Sequence, residues 1–276
     1  MRVRCAVQAA LLLVLMVALA AGAQDAFELV PVADGVYAAI GRPTAPMHIG
    51  SNAAVIINAE DVLVDGDVTN SSSTAALASY ALNPGRTHAF QGTNTVLSAV
   101  FVQVDGTMTH GMNTDTDGVI GVYGDWTPDN FLRIVCTNLM VSGSGRINVN
   151  GKGYMGGFQS NPPPAAARGN GPGGGPHTGS SSSQGAGYGG AGNQGRDGPG
   201  GVTYGSIASP TDPGSGGGGG YNGAGGAGGG VILITAGGAI TNYGVISADG
   251  ANSGSDHGGG GSGGSIAIAC RTFEGT

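Results

Sequence analysis

The sequence predicts a mainly β protein: a partial right-handed parallel β-helix (β-solenoid) with long glycine-rich loops, preceded by a small β-rich segment. Three observations lead there. Short apolar runs rich in β-branched residues alternate with turn residues, the pattern of strands rather than helices. Twelve of the 58 glycines fall in residues 1–140 and 46 in residues 141–276, a change of composition on the scale of a domain. An apolar unit also recurs in the glycine-rich half. Residues 132–151 align without gaps to residues 231–250, with apolar side chains agreeing at 132/231, 134/233, 141/240, 147/246 and 149/248. Both units close on Gly-x-Ile, a small apolar residue two places on, and an Asn-Gly or Asp-Gly pair. A third, partial unit begins at Gly263-Gly-Ser-Ile-Ala-Ile-Ala-Cys270. One such unit cannot bury its own inner face, so the units are expected to stack. Glycine, Asn and Asp at the corners tolerate the positive φ that a tight corner needs.

The elements follow in chain order. Residues 1–23 start with Arg2 and Arg4, continue in an apolar run over residues 9–21, and end in Ala21-Gly-Ala23. Basic start, apolar middle and small-x-small end read as a secretory signal cleaved before Gln24. The run of about 13 residues is short of the roughly 20 that cross a bilayer, so no transmembrane span is expected after cleavage. Residues 24–110 read as a β-rich N-terminal segment, with strands at 27–30, 35–40, 52–57, 62–64 and 95–104 and a short helix at 75–82. Residues 111–276 read as the glycine-rich solenoid. Within it, residues 152–228 form a low-complexity insertion with few apolar side chains to offset the entropy of ordering. A flexible extruded loop and a packed array of polyproline II strands both fit its composition.

Two resemblances overlie this reading. Val32-Ala-Asp-Gly-Val-Tyr-Ala-Ala-Ile-Gly41, Gly50-Ser-Asn-Ala-Ala-Val-Ile-Ile57 and Val62-Leu-Val-Asp-Gly66 resemble the opening strands of metallo-β-lactamase-fold hydrolases. That likeness implies a histidine motif for two metals, which never comes: His48, His88, His110, His177 and His257 are isolated from one another. Residues 130–276, through Gly151-Lys-Gly-Tyr-Met-Gly-Gly157 and Gly225-Gly-Ala-Gly-Gly-Gly-Val-Ile-Leu-Ile234, resemble the glycine-rich β-helix segments of large bacterial secreted and surface (adhesin-like) proteins. That likeness implies a structural or adhesive role.

Charge narrows the partners. Without residues 1–23 the chain keeps 8 bases against 17 acids, and Lys152 is its single lysine. So acidic a chain offers no basic footprint for nucleic acid. Cys136 and Cys270 are too few for a disulfide scaffold and are not spaced as a metal site; one bridge and two separate thiols are both open. Asn113-Thr-Asp-Thr-Asp-Gly118 follows the start of a calcium loop, with Asn113, Asp115, Asp117 and the Val119 carbonyl as candidate ligands. Gly124 stands where the closing acid belongs, and Asp125 comes one place late. Otherwise no cofactor is expected. Tyr154, Phe158, Tyr188, Tyr204 and Tyr221 sit among glycines, where exposed rings would suit an adhesive surface. The expectation is a non-catalytic, secreted or cell-surface structural or adhesive protein, whose partner is an extracellular surface or polysaccharide. The alternatives are a divergent metallo-β-lactamase-fold hydrolase, and a β-helix protein that binds or degrades polysaccharide.

Overall fold

The computed structural model describes residues 27–33, 36–41, 47–49, 54–58, 61–65, 68–70, 77–119, 121–158, 168–177, 183–195, 198–220, 223–254 and 257–275, those before residue 77 by their backbone path. The strands are β1 (Phe27–Ala33), β2 (Val36–Gly41), β3 (Met47–Ile49), β4 (Ala54–Asn58), β5 (Asp61–Asp65) and β6 (Val68–Asn70). There follow β7 (Leu77–Leu82), β8 (Thr87–Phe90), β9 (Val96–Val104), β10 (Thr107–His110), β11 (Leu132–Val141) and β12 (Arg146–Asn148). The last are β13 (Val231–Ala236), β14 (Ala239–Asn242), β15 (Val245–Ser247), β16 (Ser265–Ala269) and β17 (Thr272–Gly275). Among the described residues no helix is long and apolar enough to cross a membrane. The expected signal at residues 1–23 lies outside the described residues.

Hairpin β1–β2 forms a two-stranded sheet of its own, and the other strands form two larger sheets. The six-stranded sheet runs β15-β12-β10-β8-β6-β3. The nine-stranded one runs β16-β13-β11-β9-β7-β5-β4, with β14 and β17 beside β11 and β14. Successive strands from β7 to β13 alternate between the sheets, and both sheets continue across the expected boundary at residues 110/111. One core lies between them. Leu97, Val102, Leu132, Ile134, Leu139 and Ile232 come from the larger sheet, and Phe90, Met108 and Ile147 from the smaller, all at most 1% exposed.

The expected right-handed parallel β-helix is corrected by this topology. The strands lie in two flat, open sheets, parallel over most of their width and edged by the antiparallel pairs β3–β6 and β4–β5. Period-two alternation reports only that one face of each strand is buried, and two facing sheets satisfy it as well as a coil does. The expected helix at 75–82 is also corrected where it is described. Leu77–Leu82 is strand β7, because Tyr80 pairs with both Val62 and Val102, and this tertiary pairing overrides a weak local helix preference. The gapless repeat slips as well: Ile134 pairs with Ile234, Leu139 with Ile240 and Ile147 with Ile246. Gly237 and Gly238 interrupt the path between β13 and β14 where β11 runs on unbroken, and the following turn takes up the difference.

The glycine-rich residues between β12 and β13 are not an extruded loop where they are described. Their backbone bonds repeat every three residues. Tyr154 and Gly157 N–H donate to Gly214 and Gly217 O, both at 2.9 Å. Gly214 and Gly217 N–H donate to Gly229 and Gly226 O, both at 2.8 Å. Gly226 and Gly229 N–H donate to Gly259 and Ser262 O, both at 2.9 Å, and Gly201 and Tyr204 to Gly185 and Tyr188 O, again at 2.9 Å. A β ladder repeats every two residues, whereas three residues per turn is the geometry of polyproline II. These segments therefore form a lattice of polyproline II chains, with residues 213–220 buried throughout. Glycine is required by proximity: a Cβ on Gly217 would strike the Gly259 carbonyl, and one on Gly201 the Gly173 carbonyl.

Candidate aromatic site

The candidate calcium loop is braced from within. Asn113 is fully buried; its Oδ1 accepts Asp129 N–H (2.6 Å) and Asn130 N–H (3.1 Å), and its Nδ2 donates to Lys152 O (3.0 Å). Asp115 accepts Asp117 N–H at 3.2 Å and Thr127 N–H at 2.6 Å, and Asp125 accepts Val119 N–H at 2.7 Å. The Val119 carbonyl, expected to face a cation, accepts the Trp126 indole N–H at 3.0 Å. A calcium ion would compete with an N–H donor at four of the candidate ligands. Asp117 is exposed, and its carboxyl is raised above the usual range by its hydrogen bond to the Asp115 carboxylate and by that group's charge. Among the described residues no three His, Cys, Asp or Glu side chains cluster as metal ligands. Gly121 and Val122 lie outside any strand and lead into a 3-10 turn at Tyr123–Asp125.

This braced loop forms one wall of an aromatic cleft. Gly121, Tyr123, Pro172, Val202, Thr203, Tyr204, Gly205 and Ser206 line a space of about 350 Å³. The Tyr123 and Tyr204 rings meet at 6.1 Å, and Tyr188 packs behind Tyr204 at 4.8 Å. Their hydroxyls tie the cleft to the glycine lattice. Gly173 N–H donates to Ser215 Oγ (3.0 Å), Ser215 Oγ to Tyr204 OH (2.9 Å), and Tyr204 OH to Pro213 O. Tyr188 OH donates to Ser265 Oγ (2.5 Å), and Ser265 Oγ to Asp212 O (2.6 Å). Tyr123 OH donates to Asp212 Oδ1 at 2.7 Å. Asp212 thus holds two of the three tyrosines, one through its backbone and one through its carboxylate. That carboxylate bond pushes the Tyr123 phenol up to about 12, and burial raises Tyr204 well above the usual phenol range.

Of the five tyrosine and phenylalanine candidates, the structure brings Tyr188 and Tyr204 together at the cleft. Tyr154 is buried at 2% exposure and packs edge-on against Trp126 at 5.3 Å, so its ring is structural. Phe158 is exposed elsewhere on the lattice, and Tyr221 lies outside the described residues. The reading of the sequence passed over Tyr123 and Asp212. For Asp212, the flanking Pro210 and Pro213 are the signal of a rigid turn that was available.

Among the described residues one Ser–His contact lies outside the cleft. His177 Nδ1 lies 2.9 Å from Ser183 Oγ, but the serine hydroxyl donates to Gly219 O. The imidazole therefore donates into Oγ, the reverse of the polarity in which a base activates a nucleophile. No family model, curated protein or solved structure matches the chain.

Proposed function

We propose that this is a non-catalytic structural and adhesive protein exported from the cytoplasm, which uses the glycine lattice as a stiff scaffold and the tyrosine cleft as its contact surface. The observation that carries the reading is the cleft itself: two aromatic rings held in place by Asp212, Ser215 and Pro213, with no proton-transfer pair among the described residues aimed into it. A catalytic site needs an acid, base or nucleophile whose proton can move. Here the tyrosine hydroxyls are tied to lattice oxygens, and burial or a neighbouring carboxylate keeps their protons on. The signal-like residues 1–23 and the strongly acidic remainder support an extracellular setting with a surface or polysaccharide partner.

Co-sedimentation of the purified protein with insoluble extracellular polysaccharides and cell-envelope fractions tests this reading. Saturable binding to at least one of them is expected. Two tightly bound metal ions per chain with hydrolytic turnover would replace it with the hydrolase alternative.

A further inference from the structure

Resting on that adhesive reading, we infer that the Tyr123–Tyr204 cleft takes a neutral hexopyranose unit of a polysaccharide chain and rejects uronate and sulfated chains. The volume comes first. At about 350 Å³ the cleft lies at the small end of the roughly 300–1,000 Å³ common for ligand sites, room for a short stretch of sugar rather than a protein surface.

Its chemistry is two-sided. Tyr123 (53% exposed), Pro172 and Val202 (52% exposed) present flat or apolar faces, while Thr203, Ser206 and the Gly205 backbone add polar groups. A pyranose has the same division, with a C–H face that lies on an aromatic ring and a rim of hydroxyls. The rings are also pre-ordered, which removes much of the entropy cost of stacking. Tyr123 is fixed by Asp212, and Tyr204 by Ser215 and Pro213.

Charge selects the class of chain. Asp212 acts on Tyr123, Tyr188 and Tyr204, and Asp115, Asp129 and Asp212 act on the neighbouring Tyr154. Among the described residues, the charged side chains acting on these rings are acidic. A carboxylate or sulfate on the ligand would be repelled here, whereas hydroxyls can donate to the Asp212 carboxylate.

Affinity electrophoresis and titration calorimetry of the whole chain against a soluble neutral glucan, polygalacturonate and a proline-rich peptide decide the point. The neutral chain should bind and polygalacturonate should not. Tyr123→Ala should weaken neutral-chain binding about tenfold or more, the loss of an aromatic anchor that the bound sugar covers. Val202→Glu, an exposed change that fills the cleft, should do the same, and melting curves check that both variants fold. Equal binding of the neutral glucan by wild type and both variants would sink the cleft assignment and leave the adhesive reading standing. Preference for polygalacturonate, or binding of the peptide alone, would overturn the inference. Failure to bind any polysaccharide or envelope fraction would overturn both.

Discussion

At the scale of single residues, His110 joins the two halves of the structure. It is 1% exposed; its Nδ1 bonds the Gly111 carbonyl at 2.5 Å, and its Nε2 accepts Val231 N–H at 2.9 Å. Gly230 must be glycine because a Cβ there would strike the ring. Accepting the Val231 bond requires an unprotonated Nε2. Burial, helped by the Lys152 charge, brings His110 down to about 4, and burial alone does the same for His88. Each histidine has a lower pKa folded than unfolded, so between pH 6.5 and 4 the unfolded chain binds more protons. Stability is therefore full above pH 6.5 and falls with acid, by up to about 3 kcal/mol per histidine at pH 4. Melting temperatures should drop between pH 7 and 5, and His110→Gln should flatten that slope. The same slope in wild type and variant would contradict this role. The cysteines give a second test. Cys136 pairs with Ala236, and Cys270 follows Ala269 in the next strand, so two strand spacings, about 10 Å, separate them. That is beyond the roughly 7 Å limit for a disulfide. Both thiols are free, and burial pushes Cys136 up to about 11. Mass mapping after a timed alkylation should find Cys270 labelled well before Cys136, and no peptide in which the two are joined.

At the scale of elements, the lattice and the sheets make opposite demands on side chains. Gly217 has a neighbouring carbonyl where a Cβ would go, whereas Gly189 has open space and no positive φ. Gly217→Ala should cost about 1–3 kcal/mol or more, as overpacking does. Gly189→Ala should be neutral or stabilise by roughly 0.4–1 kcal/mol, because it restricts the unfolded chain. Chemical denaturation of the pair separates a lattice that needs glycine from a loop that tolerates it. In the sheets, Ile147 is fully buried and pairs with Met108 and Ile246, the last partly buried in the edge strand β15. Ile147→Ala should cost about 2–5 kcal/mol. Ile246→Ala should cost less, and the double variant should depart from additivity by about 0.5 kcal/mol or more. Asn148 Oδ1 accepts Asn150 N–H at 2.8 Å, and the Ser247 hydroxyl is buried without a partner, so a charge at Ser247 should be costly rather than silent.

At the scale of the whole molecule, two kinds of hydrogen-bonded structure share one backbone. The sheets bury an apolar core, while the lattice has little apolar surface and is held by backbone bonds between close-packed glycines. Val149 and Gly230 join them through a 2.8 Å backbone bond just outside β12 and β13. Such coupling predicts that the lattice opens with the sheets. Amide exchange at Gly214, Gly217, Gly226 and Gly229 should be as slow as in β11 and β13. Exchange there at the rate of a free loop would show that the lattice opens on its own.

The sequence by itself determined the β character, the strand candidate at 95–104, the recurring apolar units at 132–151 and 231–250, and the match of Ile147 with Ile246, because alternation and turn residues are local signals. It left open the state of residues 152–228, since glycine composition is shared by floppy linkers and polyproline II lattices. Which one forms depends on whether distant segments arrive to accept the N–H groups, as Gly259 and Ser262 do for Gly226 and Gly229. The flat, open sheets in place of a coil, the strand at Leu77–Leu82 and the one- and two-residue shifts in the repeat were likewise decided by pairing across the fold. The site follows the same rule. Tyr188 and Tyr204 stood out as rings among glycines, but Tyr123 and Asp212 lie 89 residues apart, and only the lattice brings them within a hydrogen bond.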